Sequence, residues 1–533
     1  MMKKAKFFLL ASALAMGAIA CASNQAAQSE KALAALTPDG ALYEAEDAQL
    51  FDVKILTNTY KYTGKGYVGD FSGDTSAIMF NVDIAQTGQY DLIFMTFSPY
   101  GGKENYLSVN GEPAGSIHSP GSPDDGENIN GFRQVVVENI NLRAGKNTIK
   151  VSRWWGWCYF DSMTVVKHQD KLGNDIYNVS AKLSNPNADD NAKRLMKFLA
   201  DSYGKMVLTG QYGSPGDSTF EGLKKLTGSY PAVMAMDMID YSPSRIEPYI
   251  DPVDYFQNPA GWRAAIDKKT PKYAYEESVK WDKMGGIVAL MWHWNAPAGL
   301  LNTDQAPWFK GFYTYATTFD MGAAINNPDS DGYKLLVRDI DFISDQLKPL
   351  CDAGIPVLWR PLHEAGGGAF FWWDNFGPDA YVKLWKLMYD RMTKVHNLTN
   401  LIWVWNGGGE SYYPGDDYVD MAGLDMYQNK YDYSSQYGNF SKIVRFFLNR
   451  GTGAPKIIGI MEDGVMPDID FLVRDNAMWS MFLCWSGDDF FIFDADGSLI
   501  SGSTESQMIV KTYTHKQAYT LNNLPNLKNY PLE

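Results

Sequence analysis

The chain has 533 residues, a mass of 59.7 kDa and a mean hydropathy of −0.29, so it can hold one large domain plus an accessory unit and is too polar for a multi-span membrane protein. Its 47 basic and 62 acidic residues give a net charge of −15 without a Lys/Arg-rich run, which excludes the electrostatic footprint of a nucleic-acid binder. Aromatic residues make up 14% of the chain, more than a core needs and suited to stacking on the apolar faces of sugars.

Lys3, Lys4 and Lys6 precede an uncharged stretch from Phe7 to Ala20. A charged segment before a short apolar one is the pattern of a secretory signal, and the stretch is too short to span a bilayer as a helix. Ala18, Ile19 and Ala20 lead into Cys21, a placement similar to a bacterial lipoprotein box, with Ala18 where that pattern prefers Leu. The sequence therefore predicts a signal peptide over 1–21, a tether over 22–40 and an exported protein. Acylation of Cys21 would hold it at a membrane or cell surface, its sole membrane contact; without acylation it is secreted. Cys158, Cys351 and Cys484 are too widely spaced for a disulfide framework or a zinc site and read as buried free thiols.

From Ala77 to Ala85, Ile78, Phe80, Val82 and Ile84 alternate with Met79, Asn81 and Asp83, the period of a half-buried strand. Strands are also predicted at 90–97, 105–109, 132–137, 147–151 and 160–166, separated by Gly-, Asn- and Pro-rich turns such as Asn110-Gly111. Many short strands with little helix predict an all-β sandwich over 41–168. Glu44 and Glu46 lie two apart, so on a strand both carboxylates face one side and could share a hard cation; two exposed surface acids are the plainer reading of that spacing. Trp154, Trp155 and Trp157 are either a sugar-stacking platform or core residues. YEAEDA, YTGKGYV, the VNG turn and WWGWCYFDSMTV together resemble a family 35 carbohydrate-binding module over about 125 residues. That resemblance implies a structural calcium ion held by Glu44, Glu46 and Asp161.

Residues 169–185 are polar, lack an apolar period and read as a linker. Beyond it, over 186–525, eight short apolar runs alternate with helical patterns: KMVLTG, AVMAMD, GIVALMW, IPVLWRP, LIWVW, VDMAGLDM, KIIGIM and MFLCW. Eight strands interleaved with helices predict a (β/α)8 TIM barrel, an α/β fold. Leu336, Ile340, Ile343, Leu347 and Leu350 trace one face of an amphipathic helix that Gly354 and Pro356 end. Tyr381, Leu384, Trp385, Met388, Met392 and Val395 trace a second.

Such a barrel gathers its site where strands end. Those ends hold Gln211 and Tyr212, Asp237 and Asp240, His293 and Trp294, His363 and Glu364, Asn406, Asp425 and Tyr427, Glu462, and Trp485. GTGAPK lacks Walker spacing, the triple glycines at 366–368 and 407–409 are not GxGxxG, and HEAGG has Gly367 where a zinc protease needs His. His118, His168, His396 and His515 have no ligand spacing, so no catalytic cofactor or metal is expected. Glu364 and Glu462 are the two glutamates at strand ends. A glycosidase needs such a pair, one protonated and one ionised, and a sugar-binding barrel without catalysis is the alternative.

WRPLHEAGGGAFFWW (359–373), WNGGGESYYPGDDYVDMAGLDMY (405–427) and HWNAP (293–297) resemble glycoside hydrolase family 26 over about 186–520. The resemblance implies β-mannanase activity, with Glu364 as acid/base, Glu462 as nucleophile, and His293, His363, Trp372 or Trp373, Tyr427 and Trp485 around the scissile bond. GIMEDG departs from relatives that carry an aromatic residue or Cys after the nucleophile, and Asp463 should point away from Glu462 on an extended strand. Burial among Trp372, Trp373 and Trp485 would raise the pKa of Glu364, while Tyr427 or Arg360 would keep Glu462 ionised. Retention predicts carboxyl groups about 5–5.5 Å apart, inversion about 6.5–9.5 Å. The expected activity is retaining endo-β-1,4-mannanase action on mannan-type polysaccharide by a monomer; the alternatives are β-1,3-1,4-glucan or β-1,3-xylan hydrolysis, or surface glycan capture without catalysis.

Overall fold

The computed structural model describes residues 41–532 except 59–61, 100, 120–131, 156, 169–171, 367, 408, 429, 431, 432, 434, 451, 452, 488, 489 and 495; the signal, the tether and Cys21 lie outside the described residues. The chain divides into two compact units between residues 171 and 172. Among the described residues no helix is long and apolar enough to cross a membrane.

Among the described residues the first unit is a sandwich of eleven strands: β1 (Ala41–Glu44), β2 (Gln49–Phe51), β3 (Lys54–Leu56), β4 (Tyr67–Gly69), β5 (Ala77–Ile84), β6 (Gly88–Phe97), β7 (Lys103–Val109), β8 (Glu112–Ser119), β9 (Arg133–Leu142), β10 (Gly145–Trp155) and β11 (Tyr159–Lys167). One antiparallel sheet runs β3-β4-β11-β6-β9, with β1 also on β11; the other runs β2-β5-β10-β7-β8. The alternating residues Ile78, Phe80 and Val82 meet Phe94, Ile149, Val151 and Phe160 in one core. Asn110 and Gly111, with φ of 54° and 88°, make the two-residue turn from β7 to β8 that only residues tolerant of positive φ allow. Strands β1 to β4 and β8 give no period-two signal: the first four have only three or four residues, and β8 contains Pro113 and Gly115.

The second unit holds eight parallel strands: β12 (Val207–Tyr212), β13 (Val233–Asp237), β14 (Ile287–Trp292), β15 (Val357–Pro361), β16 (Leu401–Trp405), β17 (Met421–Met426), β18 (Ile457–Asp463) and β19 (Met481–Cys484). Each pairs with the next, and β12 pairs with both β19 and β13, so the sheet closes into a TIM barrel. A hairpin of β20 (Phe491–Phe493) and β21 (Leu499–Gly502) follows, and β22 (Ala518–Tyr519) adds to β12 from outside the ring. The helix Asp331–Asp352 buries Leu336, Ile340, Ile343, Leu347 and Leu350 as its periodicity requires. The second stripe is buried from Tyr381 to Met392, but Val395 is 60% exposed because the helix Gly377–Asp390 widens into a π turn at Arg391–Val395.

The linker expectation fails over 172–185, which belongs to the barrel unit. Leu172, Ile176 and Leu183 are buried in its cores, and Tyr177 donates to the carbonyl of Asn476 at 2.8 Å. Three apolar anchors spread over twelve polar-looking positions carry no regular period, which is why this segment reads as a linker.

Candidate active site

Glu364 sits in the loop after β15 with a φ of 57°, a left-handed conformation that a non-glycine residue keeps only where its surroundings enforce it. Here Asn406, just past β16, accepts from the Glu364 backbone N–H at 3.1 Å and donates to Asp425 at 2.7 Å. Asp425 in turn is hydrogen-bonded to Glu364. Glu462 is the penultimate residue of β18. A register shift between β17 and β18 leaves Met461 as an extra residue and sets Glu462 opposite Asp425. One carboxylate oxygen from each of Glu364, Asp425 and Glu462 then lies within 4.8 Å of the others.

The positive charge inside this cluster comes from Arg360. Buried on β15, it donates to Asp425 at 2.8 Å, to the Tyr212 hydroxyl at 3.1 Å and to Glu462. Tyr427 donates its hydroxyl to the other oxygen of Glu462, so both of its carboxylate oxygens are held. Burial, and then the charges of Asp425 and Glu462, hold the Glu364 carboxyl well above the usual carboxylate range. Burial also pushes Asp425 up, against the pull of Arg360. Two carboxyls linked by a hydrogen bond share a proton, and the site is thereby equipped with one protonated acid beside one ion-paired carboxylate.

His293 and His363 line the wall. The Asp237 carboxylate accepts from the His293 backbone N–H at 3.0 Å and from its Nδ1 at 2.8 Å, and the two imidazoles meet Nε2 to Nε2 at 3.1 Å. Burial, then Arg360, hold His363 well below the ordinary imidazole pKa, so it is neutral. Trp485 is half-buried, its ring 4.6 Å from that of Tyr212 and 6.3 Å from that of His293.

Trp372 and Trp373 require a correction: they lie behind the site and do not line it. Both are fully buried, Trp372 donating its indole N–H to the carbonyl of Trp294 at 2.6 Å and Trp373 to that of His363 at 3.0 Å. They brace the backbone that presents His293, His363 and Glu364. Among the described residues, Tyr427, Trp485 and Phe312, the last with its ring 5.1 Å from that of His293, keep exposed aromatic surface here. Asp463 points away as expected, fully buried and close enough to Cys484 for its charge to raise that thiol's pKa. Asp237, Asn406 and Asp425 were visible only as strand-end positions; their polar spacing gave no role, because each acts through a neighbour from a different strand.

In the first unit, Glu44 ends β1 and Glu46 sits in a single turn at Ala45–Asp47, so the two do not share a strand face. They nevertheless converge with Asp161 on one turn: Thr63 donates its hydroxyl to Glu44 at 2.8 Å and its N–H to Asp161 at 2.9 Å, and the Lys65 N–H donates to Glu46. Glu46 Oε2 is buried without a protein partner, and burial pushes Asp161 up to about 7, with Glu44 and Glu46 adding to the shift. An all-oxygen set with one buried carboxylate oxygen left unpartnered has the donor chemistry of a hard-cation site. Trp154 and Trp157 are each 47% exposed.

Residues 184–512 match the model of glycosyl hydrolase family 26, and residues 41–168 match that of carbohydrate binding module family 35. The chain is 37% identical over 522 residues to a mannan endo-1,4-beta-mannosidase of Thermothelomyces thermophilus, covering 97% of this chain and 98% of that protein. It is similar to the crystal structure of a Podospora anserina GH26-CBM35 beta-(1,4)-mannanase, with a TM-score of 0.59, 34% identity, and coverage of 92% and 99%. A beta-mannanase from a symbiotic protist of the termite Reticulitermes speratus, solved with a gluco-manno-oligosaccharide, aligns with a TM-score of 0.53 at 30% identity over 67% of this chain and all of that one. With a closed barrel, paired glutamates at the ends of β15 and β18, and a family match across most of the second unit, the chain belongs to glycosyl hydrolase family 26.

Proposed function

We propose that the protein is a retaining endo-β-1,4-mannanase that acts on mannan-type polysaccharide as a monomer, with Glu364 as acid/base and Glu462 as nucleophile. The observation that carries this reading is the approach of one oxygen of Glu364 and one of Glu462 to within 4.8 Å, which agrees with the close spacing of the retaining class. Glu462, steered by Arg360 and Tyr427, attacks the anomeric carbon while Glu364 gives its proton to the leaving oxygen. Water that has lost a proton to Glu364 then releases the sugar with its configuration retained. Asp425 and Asn406 position Glu364, and the half-buried Trp485 offers a face to the sugar ring. Mannan as the substrate is supported by the named activity of the relatives.

The experiment is hydrolysis of β-1,4-mannan, β-1,3-1,4-glucan and β-1,3-xylan by the intact chain and by Glu364→Ala and Glu462→Ala. We expect mannan to be cleaved at internal bonds, with the first product a β-anomer by NMR, and each variant to lose about a thousandfold or more. Wild-type rates in Glu462→Ala would reject this site, and no hydrolysis of any of the three would leave a glycan-binding role.

The first unit then serves to keep the enzyme on insoluble polysaccharide, and Glu44, Glu46 and Asp161 hold a structural calcium ion there. Export and acylation at Cys21 place the enzyme at the cell surface, where a polymer too large to be taken up must be cut.

A further inference from the structure

We propose that the outer face of the β2-β5-β10-β7-β8 sheet is a saccharide-binding platform built on Trp154 and Tyr106, an inference that rests on the first unit being a carbohydrate-binding module. Tyr106 on β7 is paired across the sheet with Ser152 on β10 and Ser116 on β8, so the three side chains stand on one face. Asn105, Leu107 and Val109, which alternate with Tyr106, are buried, so that face is the one toward solvent.

A register shift between Arg153 and Trp155 makes Trp154 the extra residue of a β-bulge, the device by which a sheet aims an additional side chain. Trp154 lands on Tyr106 with ring centroids 4.8 Å apart and planes 20° from parallel. Each ring covers only one face of the other, and they stay 47% and 49% exposed. Two large rings held rigid against each other and left open to water form a preorganised apolar surface, matched in size and shape to the C–H face of a hexose. Polar groups that pair with sugar hydroxyls surround it: the hydroxyls of Ser152 and Ser116, the imidazole of His118, and the carboxylate of Glu104, which accepts from Ser116 at 2.6 Å. The ligand class is a neutral, extended β-linked polysaccharide lying along the strand face, not a chain end captured in a pocket.

The test uses the full chain carrying Glu462→Ala, so that polymer is not consumed, with affinity electrophoresis in soluble galactomannan and retention on insoluble mannan. Trp154→Ala and Tyr106→Ala should each weaken binding about tenfold, and Trp154→Phe, which keeps a stacking face, should restore most of it. In the background with Glu462 intact, the same substitutions should leave hydrolysis of short manno-oligosaccharides unchanged. Binding equal to the parent in both alanine variants overturns the platform, as does loss of binding confined to Trp157→Ala, which moves the site to the loop before β11. Absence of any retention of the parent chain overturns the reading of the whole unit as a binding module.

Discussion

As a carboxylate, Asp237 only accepts hydrogen bonds, so the His293 Nδ1 that lies 2.8 Å from it carries a proton. In the neutral form of His293 its Nε2 is bare and accepts from His363 Nε2, which leaves His363 Nδ1 bare as well. Asp237 thus sets the direction of the whole chain. In Asp237→Asn the amide oxygen stays on the His293 backbone N–H, its nitrogen faces Nδ1, and both imidazoles must switch tautomer while the shape is kept. We expect kcat to fall by about tenfold or more with an unchanged melting temperature, and imidazole 15N shifts to report the exchanged tautomers. Asp425 acts by charge: Asp425→Asn removes one of the influences that raise Glu364, so the acid loses its proton earlier and the alkaline limb of kcat/KM moves to lower pH. An unmoved limb would show that burial and the charge of Glu462 set that pKa without Asp425. At this scale the two glutamates were legible because strand ends are countable from sequence. Trp372 and Trp373 were misplaced because periodicity does not tell which way a short turn rolls its indoles, and here backbone carbonyls at Trp294 and His363 capture both N–H groups.

The helix Asp331–Asp352 shows how an element away from the chemistry supports it. Its Asp339 is fully buried, paired with Arg338 at 2.7 Å and accepting the indole N–H of Trp294 at 2.9 Å. Trp294 stacks on Trp292, and its carbonyl receives Trp372. Asp339→Ala leaves Arg338 with Glu247 at 3.0 Å but takes the acceptor from the buried Trp294 indole N–H, so it should cost about 1–3 kcal/mol by urea unfolding, whereas Asp339→Asn, which retains an acceptor for the indole, should cost less. The apolar face of this helix was legible since five residues keep the helical period, but the acidic position embedded in it was not, because the indole it accepts from comes from the distant loop after β14. The same limit applies to strands. The eight barrel strands announce themselves as apolar runs bounded by turn residues, while β1 to β4 are too short to establish a period and the bulges at Met461 and Trp154 appear only once neighbouring strands are aligned.

For the molecule as a whole, the proposed calcium site falls in the β-sandwich and the paired glutamates in the barrel, two separate units. A chelator should lower the calorimetric transition of the first unit by several degrees, calcium should restore it, and cleavage of short oligosaccharides should not change. A single transition unaffected by chelator and calcium would remove the ion from Glu44, Glu46 and Asp161. Fold class was the most legible level, since eight strand runs after an all-β region leave few alternatives, whereas the boundary was blurred by the anchors at Leu172, Ile176 and Leu183. The ring seam follows a different logic. Strand β12 closes the barrel against β19 and is also gripped by β22: the Val207 N–H donates to Gln517 at 2.8 Å, and Thr209 donates to the carbonyl of Tyr519, 310 positions away, at the same distance. During synthesis the opening strand must therefore wait, its backbone edge unmet, until its partners emerge from the ribosome hundreds of residues later. Ring closure belongs to the end of folding, and the nascent chain depends until then on whatever shields that waiting edge.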